Sequence, residues 1–166
     1  MTEHWRPAYV GIGSNLDDPE KRVAEAFESL AGIPRTRLFA RSGVYRSAPV
    51  GGVEQPDFIN AAASLLTLLE PMRFLEELQD IEHRHGRRRD GARWGPRRLD
   101  LDLLVYSGRR SDEAGLMLPH PRIAERNFVL LPLREIAPDL VIPGLGRVAG
   151  IPVNHEVPRI ERLAQS

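Results

Sequence analysis

Two aspartates in the middle of the chain, Asp100 and Asp102, have a spacing that could support metal chemistry. Residues 99–106 around them alternate in polarity and then become apolar, which is typical of a strand. Side chains two positions apart on a strand point to the same face, with backbones roughly 7 Å apart. Ionised carboxylates that close repel each other. The pair therefore predicts a site for a divalent cation.

The segment before the aspartates indicates what that cation would accompany. It is rich in arginine and contains one tryptophan, and its glycines and proline exclude regular secondary structure. The basic and aromatic residues of the segment are Arg87, Arg88, Arg89, Arg93, Trp94, Arg97 and Arg98. Mg²⁺ binds one or two carboxylates, several waters and the oxygens of a substrate phosphate. Guanidinium groups pair with phosphate oxygens. The combination predicts phosphoryl-type transfer from a nucleotide; the alternative is a solvated basic loop beside outward-facing aspartates.

Composition limits the other possibilities. The chain has 166 residues, enough for one domain with a hydrophobic core, and a formal net charge of zero, so nothing draws the whole molecule to nucleic acid or membrane. It has no cysteine, which excludes disulfides and thiolate nucleophiles. No apolar run approaches the length of a membrane span or forms a signal-peptide core. We expect a cytoplasmic protein.

Hydrophobic periodicity predicts the elements that must position these residues. The predicted elements up to the aspartates are a strand at 8–13, a helix from Pro19 to about Leu30 capped by Asp17 or Asp18, a strand at 36–47, a strand at 58–69 and a helix from 70 or 71 to about 85, with Met72 in its buried stripe. The GIGSN sequence at 11–15 predicts a structural turn, because it lacks the lysine of a phosphate-binding loop and the third glycine of a dinucleotide fingerprint.

The second half of the chain adds smaller elements. A polar turn is predicted at 107–115, a helix or pair of helical turns at 123–136 with Phe128, Leu131 and Leu133 packed, and a turn with an edge strand at 138–148. His120, between two prolines, is either an exposed loop residue or a phosphate or base contact. The sequence makes no prediction for 149–166.

The element order predicts the fold class. Strand, helix, strand, strand, helix, strand is the split βαβ arrangement. We therefore expect an α+β fold, a ferredoxin-like βαββαβ sandwich whose antiparallel sheet has helices packed on its faces and extra C-terminal elements. The chain contains no repeat or linker, so we expect a single domain over 1–166 with its core at about 8–148.

Four sequence blocks give the chain a family resemblance. They are GIGSNL at 11–16, QPDFINAA at 55–62, RWGPRRLDLDLL at 93–104 and LPHPRIAERNFVLLPLREIAP at 118–138. With these blocks in this order, the chain resembles the 6-hydroxymethyl-7,8-dihydropterin pyrophosphokinase (HPPK) family of folate biosynthesis. The resemblance implies transfer of the pyrophosphoryl group of ATP to the hydroxymethyl group of the pterin, with release of AMP.

The resemblance also implies roles for the residues that match family motifs. Two Mg²⁺ ions would be held by Asp100 and Asp102. Residues that match family ATP contacts are Gln79, Glu82, Arg89, Arg93, Arg97, Leu103, His120 and Arg126. Residues that match the pterin pocket are Ser47, Val50 through its backbone, Phe58, Asn60, Trp94 and Phe128. The pterin would lie between the rings of Phe58 and Phe128, and Arg87 and Arg97 would act on the transferring group as the basic loop closes.

The chain departs from the family pattern at a few positions. Phe58 stands where some relatives have tyrosine, and Gly115 and Met117 stand where some place an arginine and a hydroxyl residue toward ATP. The expected partners are ATP and the pterin, without nucleic acid or membrane, for a protein that we expect to be a monomer. Two alternatives stay open: a single-stranded RNA-binding ferredoxin-like module, although the strands lack exposed aromatics in a stacking pattern, and a non-catalytic relative.

Overall fold

The computed structural model of the chain describes residues 3–86 and 98–164. Its strands are β1 (Arg6–Ser14), β2 (Thr36–Arg41), β3 (Tyr45–Ser47), β4 (Phe58–Thr67), β5 (Asp100–Tyr106), β6 (Ser111–Glu113), β7 (Leu116–Leu118), β8 (Val141–Ile142), β9 (Gly146–Arg147) and β10 (Ile160–Arg162). Its helices are α1 (Pro19–Ala31), α2 (Pro71–Arg84) and α3 (Asn127–Ile136), with short 3₁₀ turns at Ile123–Glu125 and Val148–Gly150.

The main sheet has six strands. Their order is β10-β3-β4-β1-β5, with β2 also paired to β4, and every pair is antiparallel. If β2 and β3 are counted as one interrupted strand, this is the order of the split βαβ arrangement. The predicted α+β, ferredoxin-like fold is confirmed.

Helices cover both faces of this sheet. On one face α1 and α2 pack through Phe27 and Phe74 against Val10, Ile12 and other core residues of the strands. On the other face α3 packs through Leu130 and Leu133 against Leu104 and the residues that follow it. The sheet thus separates two hydrophobic clusters. No helix in the described ranges is long and apolar enough to cross a membrane.

The predicted strand at 36–47 is divided in the structure. Residues 42–44 interrupt it, because the side chain of Ser42 takes a place in the backbone ladder: its Oγ accepts the N–H of Ala62 at 2.8 Å and donates to the carbonyl of Gly43 at 2.7 Å. Both β2 and β3 still pair with β4. Alternating polarity continues through the break, so the pattern could not reveal it.

Three predictions near the helix starts are wrong in detail. The GIGSN sequence is not a turn, because Gly11 to Ser14 extend β1 through pairing as far as Ser14 with Ile59. Asp18 directly precedes α1 but makes no side-chain capping hydrogen bond. Met72 is 40% exposed, since it lies off the stripe that Phe74, Leu78 and Ile81 form at helical spacing.

The C-terminal part also differs from expectation. The predicted polar turn contains β6, which pairs with β7 as a hairpin. The predicted edge strand at 138–148 is instead a separate hairpin of β8 and β9. The edge of the main sheet is β10, which pairs with β3. In α3, Leu130 and Leu133 are buried, whereas Phe128 and Leu131 are only half-buried.

Candidate active site

The two aspartates lie at the beginning of β5 and are half-buried. The residues that alternate with them, Leu101 and Leu103, are buried in the cluster beneath α1 and α2. Because neighbouring strand residues point to opposite faces, both carboxylates project from the other face, where α3 packs. The structure thus places Asp100 and Asp102 on one face, at one end of the sheet.

Two further polar side chains lie beside Asp102. Nη1 of Arg126 is 3.9 Å from Oδ2 of Asp102, and the side chains are 22% and 44% exposed, respectively. The backbone N–H of His120 donates to the carbonyl of Leu104 at 2.8 Å, which fixes the residue next to β5. The guanidinium of Arg126 also lies over the ring of Phe128, 5.7 Å from its centroid. An acid, a guanidinium and an aromatic ring are therefore neighbours here.

The surroundings of His120 favour its neutral form. Burial lowers the pKa of His120; Asp102 opposes this shift, and Arg126 and Arg122 add to it. Its Nδ1 accepts the backbone N–H of Arg122 at 3.2 Å, so the proton of the neutral ring is on Nε2. This nitrogen can donate a hydrogen bond to a phosphate or nucleotide oxygen.

Glycine keeps the sheet open next to the aspartates. Gly13 of β1 is paired with Asp100 on one side and with Asn60 on the other. Among the described residues, a Cβ at Gly13 would meet one atom within 4 Å, the Oδ1 of Asn60 at 3.6 Å. Gly11 is paired with Asp102 and Ala62, but a Cβ there would meet the side chain of Leu104 at 3.5 Å. The described residues therefore leave space above the sheet at Gly13, between Asp100 and Asn60.

An amide and a hydroxyl form the far side of this space. Asn60 is only 3% exposed, and its Nδ2 donates to Oγ of Ser47 at 2.8 Å and more weakly to the carbonyl of Tyr45 at 3.4 Å. Phe58 is paired with Ser47 and, two positions before Asn60, points to the same face. The structure brings Ser47, Phe58 and Asn60 together.

The segment between β3 and β4 is held by a residue that sequence reasoning missed. Asn15, which is 2% exposed, donates from Nδ2 to Oε1 of Gln55 and to the carbonyl of Pro56, both at 2.9 Å. This attaches the segment that contains Val50, itself half-buried, to the end of β1. The position of Asn15 directly after the GIGS sequence was the available signal for its role. Its partners could not be predicted, because they lie some forty residues further along the chain.

Two residues that match family ATP contacts have buried side chains. Glu82 is 4% exposed, and its Oε2 accepts the backbone N–H of Leu101 at 2.9 Å. Leu103 is 5% exposed and belongs to the core cluster, so its backbone is the part that can reach a ligand. Gln79, one helical turn before Glu82, is exposed.

Part of the predicted site lies outside the described residues. This applies to Arg87, Arg88, Arg89, Arg93, Trp94 and Arg97, and to the predicted closure of their loop. Arg98 is described: its Nε is 2.6 Å from Oδ2 of Asp17, and its guanidinium packs against Gly86. Arg98 thus joins the two ends of that segment.

Within residues 3–86 and 98–164, no group of three or more His, Asp or Glu side chains is placed to hold a metal ion. Among the described residues, the acidic side chains that face this side of the sheet from β5 are Asp100 and Asp102. Such a pair leaves coordination positions for water and phosphate oxygens, which is the arrangement that Mg²⁺ prefers.

Comparisons with known proteins agree on one family. The family model for 7,8-dihydro-6-hydroxymethylpterin-pyrophosphokinase (HPPK) matches residues 9–138. A 2-amino-4-hydroxy-6-hydroxymethyldihydropteridine pyrophosphokinase of Methylorubrum extorquens is 48% identical over 137 residues, covering 82% of this chain and 86% of the relative. A protein of the same name from Pseudomonas aeruginosa is 45% identical over 135 residues, covering 81% and 83%.

Solved structures agree on the fold. A triple-substitution variant of Plasmodium falciparum HPPK-DHPS, crystallised with pterin and p-hydrobenzoate, superposes with a TM-score of 0.69 at 13% identity, covering 90% of this chain. An HPPK-DHPS in complex with substrates superposes equally well, with a TM-score of 0.69 at 12% identity over 89% of this chain. This chain spans 44% and 43% of those longer proteins, so the likeness concerns the fold of one part of each.

Proposed function

The chain belongs to the 7,8-dihydro-6-hydroxymethylpterin-pyrophosphokinase family, and we propose that it transfers the pyrophosphoryl group of ATP to the hydroxymethyl group of 6-hydroxymethyl-7,8-dihydropterin. It is a pyrophosphokinase of folate biosynthesis. The assignment of roles to its residues rests on one observation: two carboxylates and Arg126 lie at one end of a sheet face that is open as far as Asn60.

Asp100 and Asp102 are the proposed ligands of two Mg²⁺ ions. The residues fit these ions, because the carboxylates share a face and Asp102 is 44% exposed, which gives water and phosphate oxygens access. When bound, the ions would neutralise phosphate charge and orient the triphosphate.

The proposed ATP site surrounds these carboxylates. Arg126 supplies a guanidinium for the phosphates, and His120 donates from Nε2 to a phosphate or nucleotide oxygen. Gln79 offers an exposed amide, and Leu103 offers its backbone. Arg89, Arg93 and Arg97 complete the set that the family resemblance implies, and Arg87 and Arg97 are proposed to stabilise the transferring group.

The proposed pterin site lies across Gly13 from the carboxylates. Phe58 and Phe128 would stack on the two faces of the ring, and Asn60, Ser47 and the backbone of Val50 would bind its polar edge. Trp94 is the remaining residue that the resemblance places here. Large aromatic side chains and few polar groups are typical of such a pocket.

In the proposed reaction the hydroxymethyl oxygen attacks the β-phosphorus of ATP. The bond between that phosphorus and the oxygen bridging to the α-phosphorus breaks, AMP leaves with the bridging oxygen, and the hydroxyl proton passes to solvent. No side chain is assigned as a strong base, because such transfers depend mainly on positioning and charge stabilisation. The aromatic and amide groups orient the hydroxyl, while the guanidinium groups stabilise the phosphate charge.

The test is to incubate the protein with ATP, Mg²⁺ and the pterin alcohol and to measure AMP. Asp100→Ala and Asp102→Ala are expected to abolish transfer while keeping the circular dichroism spectrum of the wild type, because the carboxylates project from the sheet. Asp112→Ala, at an exposed position of β6, is the matched control and should keep wild-type turnover. Absence of AMP with the wild type would overturn the function, and near-normal turnover of either site variant would overturn the metal assignment.

A further inference from the structure

Helix α3 carries Phe128, one aromatic wall of the proposed pterin site, and its first residue is bonded to the C-terminal segment. Asn127 is 3% exposed and donates from Nδ2 to the carbonyls of Asn154 at 2.6 Å and Pro158 at 2.7 Å. Those carbonyls lie just before β10. The beginning of α3 is thus attached to the strand that forms the edge of the main sheet.

The last turn of α3 is attached to the same edge through Glu135. Its Oε1 accepts the hydroxyl of Tyr45 at 2.7 Å, and its Oε2 accepts the backbone N–H of Gly43 at 2.8 Å. Arg162 of β10 donates to both oxygens, from Nε at 3.1 Å and from Nη2 at 3.3 Å. One carboxylate therefore connects α3, the break before β3, β3 itself and β10.

The electrostatics of this cluster favour its charged form. Burial raises the pKa of Glu135, but hydrogen bonds from Arg162, Tyr45 and Gly43 outweigh burial and hold the pKa below its usual value. Burial and Glu135 together raise the pKa of Tyr45 to about 12. A side chain at position 43 would collide with the guanidinium of Arg162, so it would force that guanidinium away from its present position against the backbone.

The partners of Glu135 and Asn127 also hold the sheet wall of the pterin site. The hydroxyl of Tyr45 donates to Glu135, and Tyr45 is paired with Asn60 in the sheet. The backbone carbonyl of Tyr45 accepts a hydrogen bond from the side-chain amide of Asn60. Ser47, at the other end of β3, is paired with Ile160 of β10. The two walls, Phe128 on α3 and the Ser47–Asn60 pair on the sheet, are therefore joined through common residues.

We propose that Asn127 and Glu135 are positioning residues that fix Phe128 relative to Asn60 and Ser47 and so set the fit of the pterin; this rests on the proposed function. Phe128 lies one residue after Asn127 and seven before Glu135, about two helical turns or ~10 Å. A small movement at either end of α3 therefore displaces its ring. The carboxylates of β5 are held by other contacts, and Arg126 of the proposed ATP site lies at the Asn127 end of α3. Changes at the Glu135 end should therefore affect the pterin more than ATP.

The test compares binding of the two substrates in variants that keep the helix. Tyr45→Phe and Arg162→Gln each remove a donor to Glu135, and Asn127→Ala removes the contact at the other end. Each is expected to raise the Kd for the pterin about tenfold, measured by titration of pterin fluorescence. In Tyr45→Phe and Arg162→Gln, which change the Glu135 end, the KM for ATP and kcat should change by less than about threefold.

The matched control is Arg159→Gln. Like Arg162→Gln, it removes one positive charge from the C-terminal segment. Among the described residues the side chain of Arg159 takes part in no hydrogen bond or ion pair, so the pterin Kd should stay at the wild-type value. A folded Tyr45→Phe variant whose pterin Kd equals that of the control would overturn the positioning role. So would equal increases in the constants for pterin and ATP.

The outcomes separate this inference from the proposed function. A wild-type chain that binds the pterin but forms no AMP would overturn the function, while the pterin titrations of the variants would still decide the positioning role. An active wild type with variants that bind the pterin normally would overturn the positioning role alone.

Discussion

Glu82 is the residue whose observed contact differs most from the role that the family resemblance implies, which is contact with ATP. It lies in α2 beneath the sheet, 4% exposed, and accepts the backbone N–H between the two aspartates, that of Leu101. A contact at that point constrains the backbone on which both Asp100 and Asp102 depend. We therefore expect Glu82 to act on the reaction through the aspartates.

Glu82→Ala is expected to lower both stability and kcat. The buried N–H of Leu101 would lose its acceptor, which costs about 1–3 kcal/mol of unfolding free energy, and the aspartates would be less well placed. Gln79→Ala, one turn earlier and exposed, should leave stability unchanged and alter only the KM for ATP. Urea denaturation and steady-state kinetics measure both effects.

The two variants also decide between the two roles of Glu82. If Glu82→Ala denatured at the wild-type urea concentration and differed only in the KM for ATP, its carboxylate would be a nucleotide contact, as the resemblance implies. A loss of stability together with kcat, absent in Gln79→Ala, would support the positioning role.

At the scale of elements, β1 separates the proposed metal ligands from the proposed pterin contacts. Its two glycines, Gly11 and Gly13, lie between β5 and β4. The side chain of Leu104 lies over Gly11, whereas a Cβ at Gly13 would meet, among the described residues, Asn60 alone. A strand interior is an unfavourable place for glycine unless a ligand or another group approaches closely. The pairing of Gly13 with both Asp100 and Asn60 makes it the position at which added bulk should matter most.

Gly13→Ala is expected to fold but to bind the pterin poorly. The added Cβ would be in ordinary contact with Oδ1 of Asn60 at 3.6 Å, while occupying space that the substrate needs. We expect kcat/KM for the pterin to fall by about tenfold or more. Gly108→Ala is the control, because Gly108 lies beyond the far end of β5 and no atom of residues 3–86 or 98–164 would be within 4 Å of an added Cβ. Unchanged pterin kinetics in Gly13→Ala would place the pterin away from this face.

The elements that the sequence predicted are those with strong periodicity. Helices α1 and α2 and strands β1, β4 and β5 follow from apolar spacing, and the common face of Asp100 and Asp102 follows from the alternation of a strand. The break at 42–44 was missed, because Ser42 maintains pairing with β4 through its side chain. Strand β10 was missed because its three residues carry no pattern, and pairing with β3 alone makes them a strand.

The residues that hold the site together were harder to predict than those that form it. Site residues such as Asp100, Asn60 and Arg126 belong to recognisable blocks. Glu135 and Asn127 also lie in such a block, but their partners, Tyr45 and Pro158 among them, come from distant segments outside the blocks, and such pairs have no local signal. Spatial proximity of that kind becomes visible only in the folded chain.

At the scale of the whole molecule, the Glu135 cluster should make stability depend on pH at both extremes. The pKa of Glu135 is lower in the folded state than its usual value of 4.5, so its contribution is present above that pH and is lost as pH falls through the folded pKa. The pKa of Tyr45 is raised from 10.0 to about 12, so its contribution is present below pH 10 and is lost as pH rises toward that value.

The measurement is the melting temperature of the wild type and of Glu135→Gln across pH. We expect the wild type to be more stable between about pH 5 and pH 9, with the difference shrinking toward pH 3, where Glu135 is protonated, and again only near pH 12, where Tyr45 ionises in the folded protein, because burial raises the pKa of Tyr45 in both proteins. Glu113→Gln, at an exposed position of β6, should follow the wild type throughout. A difference in melting temperature that stayed constant with pH would show that the Gln side chain differs from Glu135 only in its packing and that the charge of Glu135 has no effect.

The separation of the two hydrophobic clusters has a practical consequence for modifying this protein. Helix α1 covers one face of the sheet and supplies none of the proposed substrate contacts. Fluorophores, surface tethers or replacement apolar side chains could be introduced along α1 without altering the proposed substrate contacts. Helix α3 on the opposite face, held at both ends beside the proposed pterin site, does not allow such changes.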